Sequence, residues 1–229
     1  MRDDRIVILG GHGKVALLAA PRLVAAGRSV DAVIRNPKHA DDVRAAGANP
    51  VVLDIERATT VELAELFTGA EAVVFSAGAG GGNPARTHAV DFEAAVRSMD
   101  AAARAGVPRF VTVSYATADT DVDTLDPADS FFPYARAKHD ADAYLRGTDL
   151  DWTILGPGRL TLDEATGLID RDLAHPTGAT SRDNVAAVIT HVVTTGAGSR
   201  ETINFYDGEV PIAEAIPLRP GSGSAATPR

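Results

Sequence analysis

Cysteine is absent from the 229 residues, which excludes disulfide scaffolds, thiolate zinc sites and cysteine nucleophiles together. Also missing is any run of about 18 apolar residues that could cross a bilayer. The opening Met1-Arg2-Asp3-Asp4-Arg5 lacks the apolar core of a signal peptide, so a soluble, cytoplasmic protein without a membrane partner is expected. Positive charge is in short supply: 31 acidic side chains face 22 basic ones, for a net charge of −9. Such a surface repels phosphate backbones, and nucleic acid is not an expected partner. Lysine is scarcer still, because 19 of the basic residues are Arg and only Lys14, Lys38 and Lys138 remain.

What is present is an alternation of short β-branched runs with Ala-rich segments of helical length. The runs 5–9 (RIVIL), 30–34 (VDAVI), 51–54 (VVLD), 72–76 (AVVFS), 110–114 (FVTVS), 152–155 (WTIL) and 202–206 (TINFY) read as strands. Helices are predicted near 14–26, 38–46, 61–67, 87–105, 133–146 and 182–195. Gly27, Gly47, Gly69, Gly106 and Gly147 follow five of them, where a left-handed residue closes a helix. The pattern predicts a doubly wound α/β fold, a mostly parallel sheet of about seven strands with helices on both faces. The tail 217–229 has no apolar face to bury and is expected to be disordered.

Gly10-Gly11-His12-Gly13-Lys14-Val15-Ala16 stands between the first strand and the first helix. There glycines allow a tight turn and close approach of backbone N–H groups to a pyrophosphate, while a small Ala16 lets helix and strand pack closely. The second strand ends Ile34-Arg35-Asn36-Pro37-Lys38, with no carboxylate in the place that would serve a ribose 2′-hydroxyl. Arg35 can pair with a 2′-phosphate and Lys38 can add a point charge, which favours NADP over NAD. Two further strand ends fall on the same side of the sheet. Asp54 and Ile55 are placed to meet adenine, and the segment beginning Ser76-Ala77-Gly78 offers a nearly side-chain-free surface to the adenosine ribose and diphosphate.

Tyr134 and Lys138 lie one turn apart on one helical face. A phenol is a poor acid or base at neutral pH until a nearby cation favours its ionised form, and a lysine in an arginine-rich chain points to a compact ammonium at that spot. Ser114 ends the fifth strand, where its hydroxyl can meet a carbonyl oxygen. Pro157 and Gly158 form a backbone-rich turn after the sixth strand, suited to a nicotinamide amide or to a plain β-turn.

These residues together resemble the atypical short-chain dehydrogenase/reductase family, in its compact NAD(P)H-binding branch that includes NmrA-like regulators and flavin- or biliverdin-reductase-like proteins. The similarity runs from about residue 5 to 216, through RFVTVS, PYARAKHDADAYL and LDWTILGPGRL. It implies a dinucleotide-binding domain over 1–216, with a small substrate-side segment from about 156. It also implies Tyr134 as acid/base, Lys138 as its pKa-lowering and ribose-binding partner, and Ser114 as the group that polarises the substrate. A monomer or homodimer acting on a small carbonyl, alcohol or flat ring follows. A non-catalytic redox sensor, or reduction without a role for Tyr134, are the alternatives. Three departures stand out. Asp91 offers a carboxylate where many relatives have an asparagine, Tyr115 follows Ser114 in place of a small residue, and Gly156 stands where a basic residue often precedes the proline.

Two other patterns fail as sites. Asp119, Asp121 and Asp123 mimic the start of a calcium loop, but Thr124 and Ser130 occupy the places of its glycine and bidentate glutamate. The six histidines show no i, i+3 or i, i+4 pairing, and no metal site is expected.

Overall fold

The computed structural model describes residues 4–80, 83–120, 122–172 and 178–218. Seven parallel strands run side by side: β3 (Asn49–Val52), β2 (Ser29–Ile34), β1 (Arg5–Leu9), β4 (Ala72–Phe75), β5 (Arg109–Val113), β6 (Asp151–Pro157) and β10 (Glu201–Asp207). Each overlaps one of the seven runs read from the sequence, with β3 displaced two residues toward the N-terminus of the run 51–54. The sheet is nevertheless nine strands wide, because β8 (Leu168–Asp170) pairs antiparallel with β10, and β11 (Val210–Pro211) pairs with β8. A separate pair, β7 (Arg159–Thr161) and β9 (Ala179–Ser181), completes the substrate-side segment. These four strands are two or three residues long, too short for periodicity to announce them.

Successive side chains of each parallel strand go to opposite faces, and each face has its own core. Ile6, Ile8, Val74, Val111, Leu155 and Ile203 pack with Leu23 of α1 (Lys14–Ala25) and with Val188 and Ile189 of α7 (Arg182–Thr195). Val7, Leu9, Val73, Phe75, Phe110 and Ile154 pack on the other side. Their partners are Leu63 and Phe67 of α3 (Thr60–Phe67), Met99 of α5 (Ala95–Ala105) and Leu145 of α6 (Phe132–Arg146). With both faces covered, polar chemistry is left to the strand ends. The order reverses between β1 and β4, and the carboxyl ends of those two strands open the crevice in which such sheets bind ligands.

Two helices depart from the sequence reading. Gly147 after α6 is right-handed (φ −79°), unlike Gly27, Gly47, Gly69 and Gly106, because the chain continues into a further turn closed by Thr148 onto the Leu145 carbonyl. The predicted helix 87–105 begins earlier, at α4 (Pro84–Thr87), and passes through a π-helical stretch, His88–Ala94, before α5. Short α2 (Ala40–Ala45) and α8 (Ile212–Ala215) complete the set. Of the expected disordered tail, Pro217 and Leu218 are described, and 219–229 lie outside the described residues.

Arg109 is a buried cation that ties β5 to its neighbours: it donates to Asp151 at 3.0 Å, to Thr153 Oγ1 at 2.8 Å and to the Ala197 carbonyl at 2.5 Å. Removing it strands the buried acceptors, whereas Asp151 keeps water on its open side (40% exposed). Arg109→Ala is expected to cost about 3 kcal/mol in urea unfolding, and Asp151→Asn about 1 kcal/mol or less. Equal losses would place the energy in the ion pair rather than in the buried guanidinium.

Candidate functional site

The glycine loop is shaped by contact with the loop after β4. Gly10 has φ +83°, and a Cβ built on it would lie 2.7 Å from Ala77 Cα and 2.9 Å from the Ser76 carbonyl oxygen. Only glycine fits, for both backbone and steric reasons. The Gly11 N–H donates to the Val33 carbonyl, and the Gly13 N–H closes the turn onto Gly10. Gly13 is the N-cap of α1 and no side chain caps that helix, so the N–H groups of its first turn have no intrahelical acceptor. An anionic ligand supplies what they lack, with the positive end of the helix dipole behind it. The residues present therefore fit a dinucleotide.

The adjoining cleft has a volume of about 310 Å³. Ten expected cofactor residues line it: Gly10, His12, Gly13, Arg35, Asn36, Asp54, Ile55, Ser76, Ala77 and Gly78. Gly11, Lys14, Val15, Lys38, Lys138, Pro157 and Gly158 are not in its lining. Lys14 and Val15 begin α1 immediately behind the loop, and Lys38 sits in a short 3₁₀ turn whose cap is the Asn36 side chain, accepting from the Lys38 N–H. The cleft also includes His39, Glu56, Arg86 and Val90, which the sequence reading did not single out.

Folding puts an acid beside Arg35 after all. Glu56, just past β3, accepts from Arg35 and from Arg86, each at 2.9 Å. Sequence distance concealed it, since the strand-end rule inspects β2 and Glu56 arrives from the next strand. His12 and His39, 27 positions apart in the chain, stack with centroids 3.7 Å apart, and His12 Nε2 is 2.8 Å from Asp42. Among the described residues no group of three or more metal-ligating side chains is found; Asp121 and His175 lie outside them.

A second polar cluster is built by the carboxyl end of β5, the π-helical stretch and α6. Tyr134, Lys138 and Asp142 recur every fourth residue along α6, on one face. Lys138 and Asp142 are fully buried, as are Ser114 and Asp91. Lys138 Nζ donates to the Val113 carbonyl at 2.8 Å, and Ser114 Oγ donates to Asp142 Oδ2 at 2.5 Å. Asp91 accepts from the Ala79 N–H at 3.0 Å, which joins the phosphate-side loop to this cluster. Burial pushes both carboxyl groups up from their ordinary values, and the Lys138 ammonium opposes the rise in each.

Tyr134 has a largely buried ring that packs against Tyr115 (5.6 Å) and Phe131 (5.4 Å). Burial pushes its phenol up, and the Asp91 and Asp142 charges push it further. In this arrangement Lys138 is turned to Val113 and toward the carboxylates, and the net shift on Tyr134 is the reverse of the lowering that the resemblance implies. Asp142 was the signal missed: it repeats the Tyr134-to-Lys138 spacing once more.

Pro157 and Gly158 do not form a free turn. The Pro157 carbonyl accepts from the Ala116 N–H, and the Gly158 N–H is directed to the Phe205 carbonyl at 3.1 Å and to Thr180 Oγ1 at 2.9 Å. Pro157 ends β6 and β7 starts at Arg159, so those main-chain groups serve the sheet. Gly156 is fixed by packing, since a Cβ there would collide with the Asn204 side chain and lie 3.0 Å from the Tyr115 carbonyl.

A family model for NAD(P)H-binding proteins matches residues 10–195. The chain belongs to this NAD(P)H-binding family. The chain is also similar to UPF0659 protein C216.03 of Schizosaccharomyces pombe, 32% identical over 92% of each chain. A Bacillus subtilis protein named uncharacterized sugar epimerase YhfK is 30% identical over 93% of this chain and 98% of its own. The oxidoreductase ylbE of Lactococcus lactis superposes with a TM-score of 0.81 at 31% identity, covering 92% of this chain and 94% of that one. The family is thus oxidoreductase- or epimerase-like, and these members fit its compact, atypical branch. No helix among the described residues is long and apolar enough to cross a membrane.

Two outcomes follow. Gly10→Val is expected to weaken NADPH binding at least tenfold in a fluorescence titration, equivalent to about 1.4 kcal/mol, and unchanged affinity would move the cofactor away from this loop. The pH dependence of stability has a definite sign. A carboxyl group whose native pKa is raised contributes fully below the unfolded value of about 3.9, and that contribution is lost as pH rises through the native value. Asp142→Asn carries no such titration, so its urea midpoint is expected to fall less than the wild-type midpoint between about pH 4 and pH 7. Parallel curves would show that Asp142 ionises as freely in the native state as in the unfolded one.

Proposed function

We propose that this protein is an NADP(H)-dependent oxidoreductase of the short-chain dehydrogenase/reductase type. It would act on a small carbonyl compound, its alcohol, or a flat ring, with Tyr134 as the acid/base. The observation that carries the proposal is a phenol kept protonated chiefly by burial, with the Asp91 carboxylate adding to the effect, on the same helix face as Lys138 and near the end of β5. A phenol in that state carries the proton that reduction consumes, and the alkoxide left by hydride transfer is a strong enough base to take it even from a weakened acid. A nicotinamide nucleotide held by Gly10 and Gly13 and by the cleft beside them would supply hydride to the carbonyl carbon. Tyr134 gives the proton that the carbonyl oxygen needs, Ser114 holds that oxygen, and Lys138 restores the phenol's charge balance after transfer.

The preference for NADP rests on a shared carboxylate. Glu56 is paired with two guanidinium groups, and Arg35 is the more exposed of them (57% against 36%). When Arg35 leaves for a 2′-phosphate, Arg86 still neutralises Glu56, so the exchange leaves no buried charge unpaired. A second reading, a non-catalytic NADP(H)-binding regulator, draws on the packing of Tyr134 into a cluster with Tyr115 and Phe131. It predicts tight NADPH binding without turnover.

Arg35→Ala is expected to raise the Kd for NADPH about tenfold, the worth of one charge-assisted hydrogen bond, and to change that for NADH by about twofold or less. Equal losses for both nucleotides would remove the 2′-phosphate from Arg35. In an NADPH-consumption assay over aldehydes, diketones, quinones and flavins, Tyr134→Phe is expected to lower kcat at least a hundredfold with the NADPH Kd unchanged. Turnover equal to the parent would end the acid/base assignment, and tight binding with no turnover by the parent would favour the regulator.

A further inference from the structure

The buried Ser114–Asp142 pair holds a detail that the proposed reaction does not use. We propose that Asp142 is a positioning residue that carries a proton in the working protein, and thereby turns the Ser114 hydroxyl into a donor toward the substrate's carbonyl oxygen. This rests on the reading of Ser114 given above and adds to it a condition on which way its hydrogen bond runs.

Ser114 has one proton. In the arrangement with an ionised Asp142, that proton goes to Asp142 Oδ2 across 2.5 Å, and Ser114 has nothing left to offer a carbonyl oxygen. With the proton on Asp142, the carboxyl group donates to Ser114 Oγ across the same distance, and the hydroxyl is free to point elsewhere. The surroundings favour the second arrangement. Asp142 is completely buried, and its other oxygen, Oδ1, has no hydrogen-bond partner. An ionised carboxylate with an unserved buried oxygen is costly, while the carbonyl oxygen of a neutral acid tolerates it far better.

Charge counting points the same way. Facing Asp142 are Lys138, His139 and Arg146 from its own helix, Ser114 from the end of β5, and the phenols of Tyr115 and Tyr134. Lys138 is the strongest attraction among them, but it is shared with Asp91, which lies on the π-helical stretch. One ammonium group thus serves two buried carboxyl groups. Asp91 has a backbone N–H to stabilise its charge, from Ala79; Asp142 has only a hydroxyl. Asp142 is therefore the member of the pair that retains the proton.

The test observes the proton directly, without turnover. Protein labelled with ¹³C at the aspartate carboxyl carbons is examined by NMR between pH 4 and pH 9, as wild type, Asp142→Asn, Asp91→Asn and Ser114→Ala. The expected result is one resonance still in the acid form at pH 7, absent from Asp142→Asn, present in Asp91→Asn and shifted in Ser114→Ala. Should Asp142→Asn fail to fold, loss in Asp91→Asn or a lack of response to Ser114→Ala still decides against the proposal. It is overturned if every aspartate is ionised at pH 7, or if the acid resonance belongs to Asp91. A solely structural contact between Ser114 and Asp142 would leave no acid-form signal. NADPH affinity measured on the same samples reports separately on the proposed function, so its failure leaves the proton assignment standing or falling on the NMR alone.

Discussion

One buried ammonium holds together the polar cluster at the carboxyl end of the sheet. Lys138 is almost fully buried in a chain that otherwise uses arginine, and it reaches the carbonyl of Val113 at the end of a parallel strand. Two carboxyl groups lie within its electrostatic reach, Asp91 on a π-helical stretch and Asp142 one turn further along its own helix. An unpaired charge at that depth would be driven neutral, so these groups persist only as a set. Their common location follows from the sheet. With both of its faces sealed by apolar side chains, the ends of the strands are where such a set can be assembled.

The nucleotide end works by a different principle. Its shape comes from what is missing: a Cβ at Gly10, a side-chain cap on α1, and bulk in the loop that begins at Ser76. Backbone N–H groups left without acceptors leave room for an anion, room that a substitution can fill but hardly improve. Charge enters only at the margin, through the Arg35–Glu56–Arg86 chain, where one carboxylate shared between two guanidinium groups leaves the more exposed of them exchangeable. Asp91 connects the two ends, since it accepts from Ala79 in the loop after β4 while facing Lys138.

Much of this was legible in the sequence. All seven parallel strands stand where β-branched runs predict them, because a strand buried on both faces must be apolar throughout and its ends are marked by turn residues. The glycine loop was readable for a similar reason, as its geometry admits few residues. Three-dimensional juxtapositions were less accessible. Glu56 meets Arg35 across two adjacent strands, and His12 meets His39 across the loop and the turn after β2, with nothing local in the sequence to announce either. Pro157-Gly158 misled in the opposite direction, since a dipeptide typical of turns is here drawn into the sheet by Phe205, Thr180 and Ala116.

The spacing on α6 shows where a motif reading stops short. Tyr134 and Lys138 alone suggest a phenol made acidic by a cation. Burial of the ring, and the carboxylate of Asp91 from the opposite helix, push the phenol the other way, while the one ammonium is already committed to a carbonyl. A phenol in those surroundings stays protonated at neutral pH and is a weaker acid than a free phenol. Its protonation state is thereby set by everything packed around it rather than by the identity of any one neighbour. Two residues at the right spacing are insufficient to assign a role until every charge facing them has been counted.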